Sequence, residues 1–357
     1  MSLDLNNLQA VGRFDRSNFA GLIGGFPEQL EEGMKIAEES RLPKWKASSF
    51  SNVAVAGLGG SAMAAEIVKG CLTYHLKIPM AIIRHYRLPD YVSEKSLVIA
   101  SSYSGNTEET LSAYREARKK KARIVAVSSG GKLSDWAKKD KVPQIKIPGG
   151  MPPRAALGYS LAVLLVLLTR LGLVKQDKRE IATAARFLKE FRKRFLPISS
   201  GADNPAKNLA MKLQGRIPII YAGEDHFSAV ALRWKQQICE NAKTPAFSNV
   251  FPEFNHNELV GWGASERFRD KLAIIILRDR DDHQRVKARM EIVQEILKRS
   301  RLAVIEINSE GETLWERILS LVHWGDWASY YLAVLNEVDP TPIEVIDFLK
   351  QNLAARK

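Results

Sequence analysis

Residues 53–72 read VAVAGLGGSAMAAEIVKGCL, and the fold can be worked out from this stretch outward. VAVAGL (53–58) is a short, unbroken apolar run. A half-exposed strand would alternate apolar with polar, so an unbroken run predicts a strand covered on both faces. Gly59-Gly60-Ser61 closes the run, and AMAAEIVKGCL follows with helical composition. The unit is strand, glycine turn, helix. It recurs in AIIR (81–84), SLVIAS (96–101) and RIVAVS (123–128), further strand candidates with helical stretches between them. Such alternation predicts an α/β fold with a parallel, doubly wound sheet flanked by helices.

Upstream, FPEQLEEGMKIAEES (26–40) reads as an exposed amphipathic helix. Downstream, IPGGMPP (147–153) reads as a loop leading into a helix over 155–171. The charged helical stretch KQDKREIATAARFLKEFRKRF (175–195) and the turn-rich PISSGADNP (197–205) look like a connection between halves. A second α/β set follows: IPIIYAG (217–223), a helix holding Trp234 to Glu240, AFSNVF (246–251), KLAIIIL (271–277) and RLAVIEI (301–307). Long helical stretches at 283–299 and 312–336 are interleaved with it. A chain of 357 residues is long for a single core. The expected organisation is an N-terminal helical segment (1–45), a first α/β domain (46–195) and a second (196–357).

Composition narrows the class. With 45% apolar and 26% charged residues the chain is an ordinary globular protein, which sets aside disorder and fibrous repeats. Cys71 and Cys239 form no CxxC pair, so neither a disulfide framework nor a zinc knuckle is implied, and a reducing cytoplasm fits. The opening MSLDLNNLQA lacks the basic-then-apolar pattern of a secretory signal. The apolar stretch from Ala155 to Leu168 is short for a bilayer, contains Gly158 and Ser160, and is fenced by Arg154 and Arg170. A buried core helix is expected there, with no membrane partner.

The net charge of +13 admits a nucleic acid, an anionic small substrate or a merely basic surface. Its densest run, Arg118-Lys119-Lys120-Lys121-Ala122-Arg123, falls where a helix ends and cations suit the dipole. No helix-turn-helix, zinc-finger or RNP pattern accompanies it, so a solvated face is expected and no nucleic-acid partner. The histidines, His75, His85, His226, His256, His283 and His323, give no HxH or HExxH. His256 with Glu258 makes HxE, but without the PCxxC of a deaminase. Chemistry without metal or cofactor is expected.

In open α/β sheets ligands gather beyond the carboxyl ends of strands. Two segments stand at such ends: Gly57-Leu58-Gly59-Gly60-Ser61, and SSYSGNTEET from Ser101 to Thr110. A strand followed by hydroxyls and a helix start offers an anion both hydroxyl and backbone N–H donors. Neither segment matches the Walker pattern or a full GxGxxG. Two plainer readings stay open. Asn106 with Glu109 resembles a capping arrangement, and Gly-Gly-Ser can be a tight turn only. Glu108 and Glu109 would repel a phosphate unless they point outward.

SSYSGNTEET closely resembles the phosphosugar-binding signature of sugar-isomerase (SIS) domains. The chain as a whole resembles the bifunctional phosphoglucose/phosphomannose isomerases of the phosphoglucose isomerase superfamily. The likeness runs through DRSNF, PEQLEEG, AGLGGSAM, PPRAALGYS, RWKQQICENAKTP, PEFNHNELVGW and DPTPIEVIDFLK. It implies two SIS-type domains and an aldose–ketose isomerase acting on phosphorylated hexoses. Ser102, Ser104 and Thr107 would hold the phosphate, with Gly59, Gly60 and Ser61 approaching the sugar. Arg154 would stabilise the enediolate, Glu240 would move the proton between C1 and C2, and His256 and Lys350 would assist ring opening. Lys350 is placed mainly by DFLK. The resemblance further implies a homodimer whose sites lie at the interface, the histidine coming from the other subunit.

These residue types suit that chemistry. A carboxylate in a dry cleft gains basicity by partial desolvation. A guanidinium is permanently charged and can meet two oxygens at once. An imidazole exchanges a proton near neutral pH. Two other functions remain in view. One is a catalytically silent phosphosugar sensor, which usually carries a DNA-binding helix-turn-helix for which the acidic first 45 residues leave little room. The other is a different SIS enzyme such as an amino-sugar isomerase, and the sequence shows no glutamine-hydrolysing domain with a terminal cysteine.

Overall fold

A computed structural model describes residues 3–175, 178–200, 203–262 and 268–356. The first half builds β1 (Asn52–Ala56), β2 (Met80–Ile83), β3 (Ser96–Ser101), β4 (Arg123–Ser128) and β5 (Gln144–Lys146). These form one parallel sheet in the order β2-β1-β3-β4-β5. The second half builds β6 (Ile217–Gly223), β7 (Phe247–Phe251), β8 (Leu272–Arg278) and β9 (Ala303–Asn308), parallel in the order β7-β6-β8-β9. β1 and β3 are buried along their whole length, which is why their sequences do not alternate. β5 escapes the sequence pattern for the opposite reason. It is a three-residue edge strand in which only Ile145 is buried.

The helix expected over 26–40 forms as Phe26–Glu39, but it is half-buried rather than exposed. Leu30 and Ala37 are fully buried, and Gly33 lets the helix lie against the Leu157–Arg170 helix. A Cβ on Gly33 would stand 3.0 Å from the Ala162 Cβ and 3.1 Å from the Tyr159 Cα. Its acidic face pairs with the Lys178–Phe191 helix and the turn after it, Lys189 to Glu31 at 2.7 Å and Arg192 to Glu28 at 2.6 Å. Such half-exposed pairs contribute about 0–1 kcal/mol each, so packing holds the helix.

Leu157 to Leu168 is buried without interruption, and no helix among the described residues is long and apolar enough to cross a membrane. The Leu314–Leu335 helix is also buried almost throughout and starts in a capping box between Thr313 and Glu316. One apolar core runs from Val53, Ile99 and Val127 of the first sheet through these helices to Ile220 and Ile275 of the second.

Two helices at the seam fix the relative direction of the halves. Gly59–Cys71 follows β1, and Glu224–Ala242 follows β6. The end of the first meets the start of the second, where the Gly70 carbonyl lies 2.7 Å from His226 Nδ1. The start of the first adjoins Pro153-Arg154, and Arg154 reaches Asn241 in the last turn of the second. The helices are therefore antiparallel. The carboxyl edge of the first sheet consequently meets the far end of the Glu224–Ala242 helix.

Candidate active site

The site begins where the first sheet changes direction. From β1 the chain crosses to β2 on one side and then to β3 on the other, so the loops after β1 and β3 diverge and leave a crevice. Gly57 allows those loops to touch, since a Cβ there would sit 2.8 Å from the Ser101 carbonyl oxygen. Gly60 does the same for the segment carrying Arg154, its Cβ position lying 2.6 Å from the Pro153 oxygen. The Gly-Gly-Ser segment is thus the first turn of the Gly59–Cys71 helix as well as a close approach, more than a turn alone.

Two helix N-termini open on this crevice, and neither is capped by a side chain. Leu58 precedes the Gly59–Cys71 helix and Thr107 precedes the Glu108–Lys119 helix. Their leading N–H groups carry the positive end of the dipole and suit an anion. Thr107 Oγ1 is hydrogen-bonded to Ser102 Oγ at 2.8 Å. Ser102 is buried and Ser104 exposed, so the pair forms the floor and rim of one cradle.

The capping alternative for Asn106 is not realised. Its Nδ2 donates to the Ser104 carbonyl at 3.3 Å, and its Oδ1 accepts from Lys132 N at 3.1 Å. Asn106 therefore ties the cradle to the loop after β4. Glu108 is exposed and accepts from Tyr86 OH at 3.3 Å, away from the cradle floor.

Arg154 sits in the turn Pro153–Ala155 and is only 4% exposed. Its Nε donates to Asn241 Oδ1 at 2.6 Å, and its Nη2 donates to the carbonyls of Pro340 (2.6 Å) and Thr341 (2.9 Å). Nη1 lies 3.5 Å from Glu240 Oε2. Burial pulls the guanidinium pKa down, with Glu240 opposing, yet an arginine keeps its charge in proteins. Nε and Nη2 are already engaged by neutral acceptors of the protein, and Nη1 faces Glu240.

Glu240 stands just before the end of the Glu224–Ala242 helix with its side chain 29% exposed. It lines a cavity of about 800 Å³ together with Cys239, Lys243, Arg13 and Arg16, and with Val345 and Ile346 of the C-terminal helix Glu344–Ala355. Lys243 Nζ donates to the carbonyls of Glu240 (2.6 Å) and Pro342 (2.6 Å). Burial lowers the Lys243 pKa, and Arg154 nearby lowers it further. Arg13, Arg16, Asn241, Lys243 and the segment 339–342 were assigned no role from sequence. The signal was there in DRSNF, ENAK and DPTP, but nothing in those strings says which side chains converge.

Two expected site residues are not brought in. His256 is exposed on the turn Glu253–His256 that follows β7. Phe251 pairs with Gly223, so this turn lies where the Glu224–Ala242 helix begins. Glu240 lies sixteen residues further along that helix. At 1.5 Å per residue the span is about 24 Å. Glu258 fixes the same loop, accepting from Tyr221 OH and from Asn249 Nδ2. Lys350 is exposed on the Glu344–Ala355 helix, and only the start of that helix borders the cavity.

The second sheet has its own switch point, between β6 and β8, and it is chemically opposite. Gly223 faces Asp282, whose carboxyl is pushed up to about 6 by burial and by Asp279 nearby. Carboxylates stand where the first sheet offers hydroxyls and free N–H groups. Asp279 and Asp281 there are paired with Arg317. Among the described residues, no three His, Cys, Asp or Glu side chains are grouped to hold a metal ion.

Two parallel sheets flanked by helices, the first opening a crevice lined by hydroxyls at its switch point, are the architecture of SIS domains. Residues 202–353 match the family described as bacterial phospho-glucose isomerase C-terminal SIS domain. The bifunctional phosphoglucose/phosphomannose isomerase of Caldicellulosiruptor bescii is 43% identical over 94% of this chain and 98% of its own. That of Aquifex aeolicus is 35% identical over 85% and 91%. A hypothetical protein of Thermus thermophilus superposes with a TM-score of 0.78 over 98% of this chain and 93% of its own, at 16% identity. The chain belongs to the bifunctional phosphoglucose/phosphomannose isomerase family.

Proposed function

We propose that this protein interconverts glucose 6-phosphate and mannose 6-phosphate with fructose 6-phosphate through an enediolate. The observation that carries the reading is the contact between Arg154 Nη1 and Glu240 Oε2 at 3.5 Å, beside the uncapped start of the Gly59–Cys71 helix. The phosphate sits on Ser102, Ser104 and Thr107, with Gly59, Gly60 and Ser61 along the sugar. The Glu240 carboxylate takes the proton from C2 of the open aldose, the C–H electron pair becomes the C1=C2 bond, and charge grows on O1. The O2 hydroxyl proton then passes to O1, and as O2 becomes the carbonyl oxygen the C1=C2 pair takes the proton back from Glu240 at C1, which gives the ketose. Arg154 Nη1 faces the oxygen charge. The two aldoses differ only at C2, which is planar in the enediolate, so one intermediate serves both.

Ring opening falls to His256 and Lys350. About 24 Å of helix separates the two ends at which Glu240 and His256 lie, which supports a homodimer with His256 supplied by a second copy. Val345, Phe348 and Leu349 are exposed on the C-terminal helix and give that second copy an apolar surface to cover. The reaction belongs to glycolysis and gluconeogenesis in the cytoplasm. Purified protein treated with EDTA and supplied with each aldose phosphate should release fructose 6-phosphate at an unchanged rate. No product from either sugar would end the reading.

A further inference from the structure

Arg154 is held before any substrate arrives, and the grip reaches deep into the core. Asn241, which receives its Nε at 2.6 Å, is fully buried and fixed in turn. Asn241 Nδ2 donates to Ser329 Oγ at 2.9 Å, and that hydroxyl donates to the Asp326 carbonyl at 2.8 Å. The Asp326 carboxylate accepts from Arg233 at 2.7 Å, and Arg233 also donates to the Arg154 carbonyl at 3.1 Å. Backbone and side chain of Arg154 thus hang on one buried cluster. The other clamp is the strap Asp339-Pro340-Thr341-Pro342, whose carbonyls take Arg154 Nη2 and Lys243 Nζ. Its prolines have a fixed φ and no N–H, so the strap presents acceptors on a stiff backbone.

We propose that Asn241 and this strap are positioning elements that present one nitrogen of Arg154, Nη1, to the reacting oxygens without hydrogen-bonding a carboxylate to the guanidinium. The inference rests on the isomerase reading. Its chemical basis is the nature of the acceptors: an amide oxygen and two peptide carbonyls, all neutral. A carboxylate at position 241 would hold Nε equally well but would offset the positive charge that the enediolate needs. Glu240 is then the acid nearest the guanidinium, at 3.5 Å from Nη1, with Asp339 of the strap adding a weaker attraction.

The test uses the full chain with Asn241→Asp, which is isosteric, and Asn241→Ala, which removes the acceptor. Both should lower kcat by about 10- to 100-fold while KM for fructose 6-phosphate stays within about threefold. Two inhibitors separate charge from packing. A phosphorylated aldonohydroxamate mimics the anionic enediolate, and a phosphorylated alditol carries the same phosphate and hydroxyls without the charge. Asn241→Asp should weaken the hydroxamate by the factor lost from kcat and leave the alditol unchanged. Wild-type kcat in Asn241→Asp, or equal loss of both inhibitors, would overturn the inference while the isomerase reading stood. A wild-type chain inactive on every hexose phosphate would overturn both.

Discussion

Glu240 and His323 show how one residue's surroundings decide its chemistry. Glu240 faces a cavity and a guanidinium, with part of its side chain open to solvent. A positioned base is typically worth roughly 10²–10⁴-fold in rate. Glu240→Gln should therefore cut turnover by about that factor while binding of fructose 6-phosphate, measured by calorimetry, is largely retained. Near wild-type turnover would remove Glu240 from the mechanism. His323 is the contrasting case: fully buried among Phe26, Phe191 and Phe195, it accepts from Trp327 Nε1 at 2.8 Å. Burial depresses its pKa to about 3 from an ordinary 6.5. The unfolded chain then binds a proton that the folded chain refuses, so this group costs stability as pH falls from about 6.5 towards 3. Thermal melts across that range should flatten in His323→Gln, which keeps an acceptor for Trp327 and does not titrate. An unchanged slope would assign acid sensitivity to other groups.

At the scale of elements, the proposed phosphate cradle is built from two uncapped helix starts, with Gly57 allowing the loop after β1 to touch Ser101. Ser104 and Thr107 offer hydroxyls to a phosphate remote from the reacting carbons, so losing them should weaken binding more than chemistry. Ser104→Ala combined with Thr107→Ala should raise KM by about 10- to 100-fold, given the usual worth of hydrogen bonds to charged groups, with kcat within about threefold. An unchanged KM with a lowered melting temperature would mean that the Ser102–Thr107 hydrogen bond serves only to shape the loop. The second sheet repeats the same strand order without the cradle, because Asp279 and Asp282 follow β8 where the first sheet has serines after β3. Among the described residues, the same topology therefore carries the serine-rich loop in one half and aspartates in the other.

For the whole molecule the decisive quantity is distance. The helix that starts near His256 carries Glu240 at its other end. In a two-fold dimer each patch meets its own copy, so a second chain can bring His256 to the Glu240 end. Glu240→Gln and His256→Ala subunits, each nearly inactive alone, should regain activity after co-refolding. With random pairing about half the dimers are mixed, and each has one intact site, giving roughly a quarter of wild-type activity per subunit. No rescue, or an active monomer in sedimentation at assay concentration, would sink the shared site.

By itself the sequence determined what depends on neighbours along the chain. Unbroken apolar runs such as SLVIAS and IPIIYAG gave strands β3 and β6 to the residue, because burial on both faces leaves a local trace. The ordered motifs marked the family for the same reason, and the density of small donors in SSYSGNTEET is what proposes a cradle there. β5 left too little trace to find, being one buried residue between two polar ones. Only the tertiary structure decided what depends on residues far apart in sequence. It buried the face of the Phe26–Glu39 helix that had read as exposed, since Gly33 is explained only by Tyr159 and Ala162 against it. It joined Arg154 to Asn241 and Pro340, contacts that no periodicity encodes. And it set the two seam helices antiparallel, which the approach of Gly70 to His226 at one end and of Arg154 to Asn241 at the other fixes and no string of residues could.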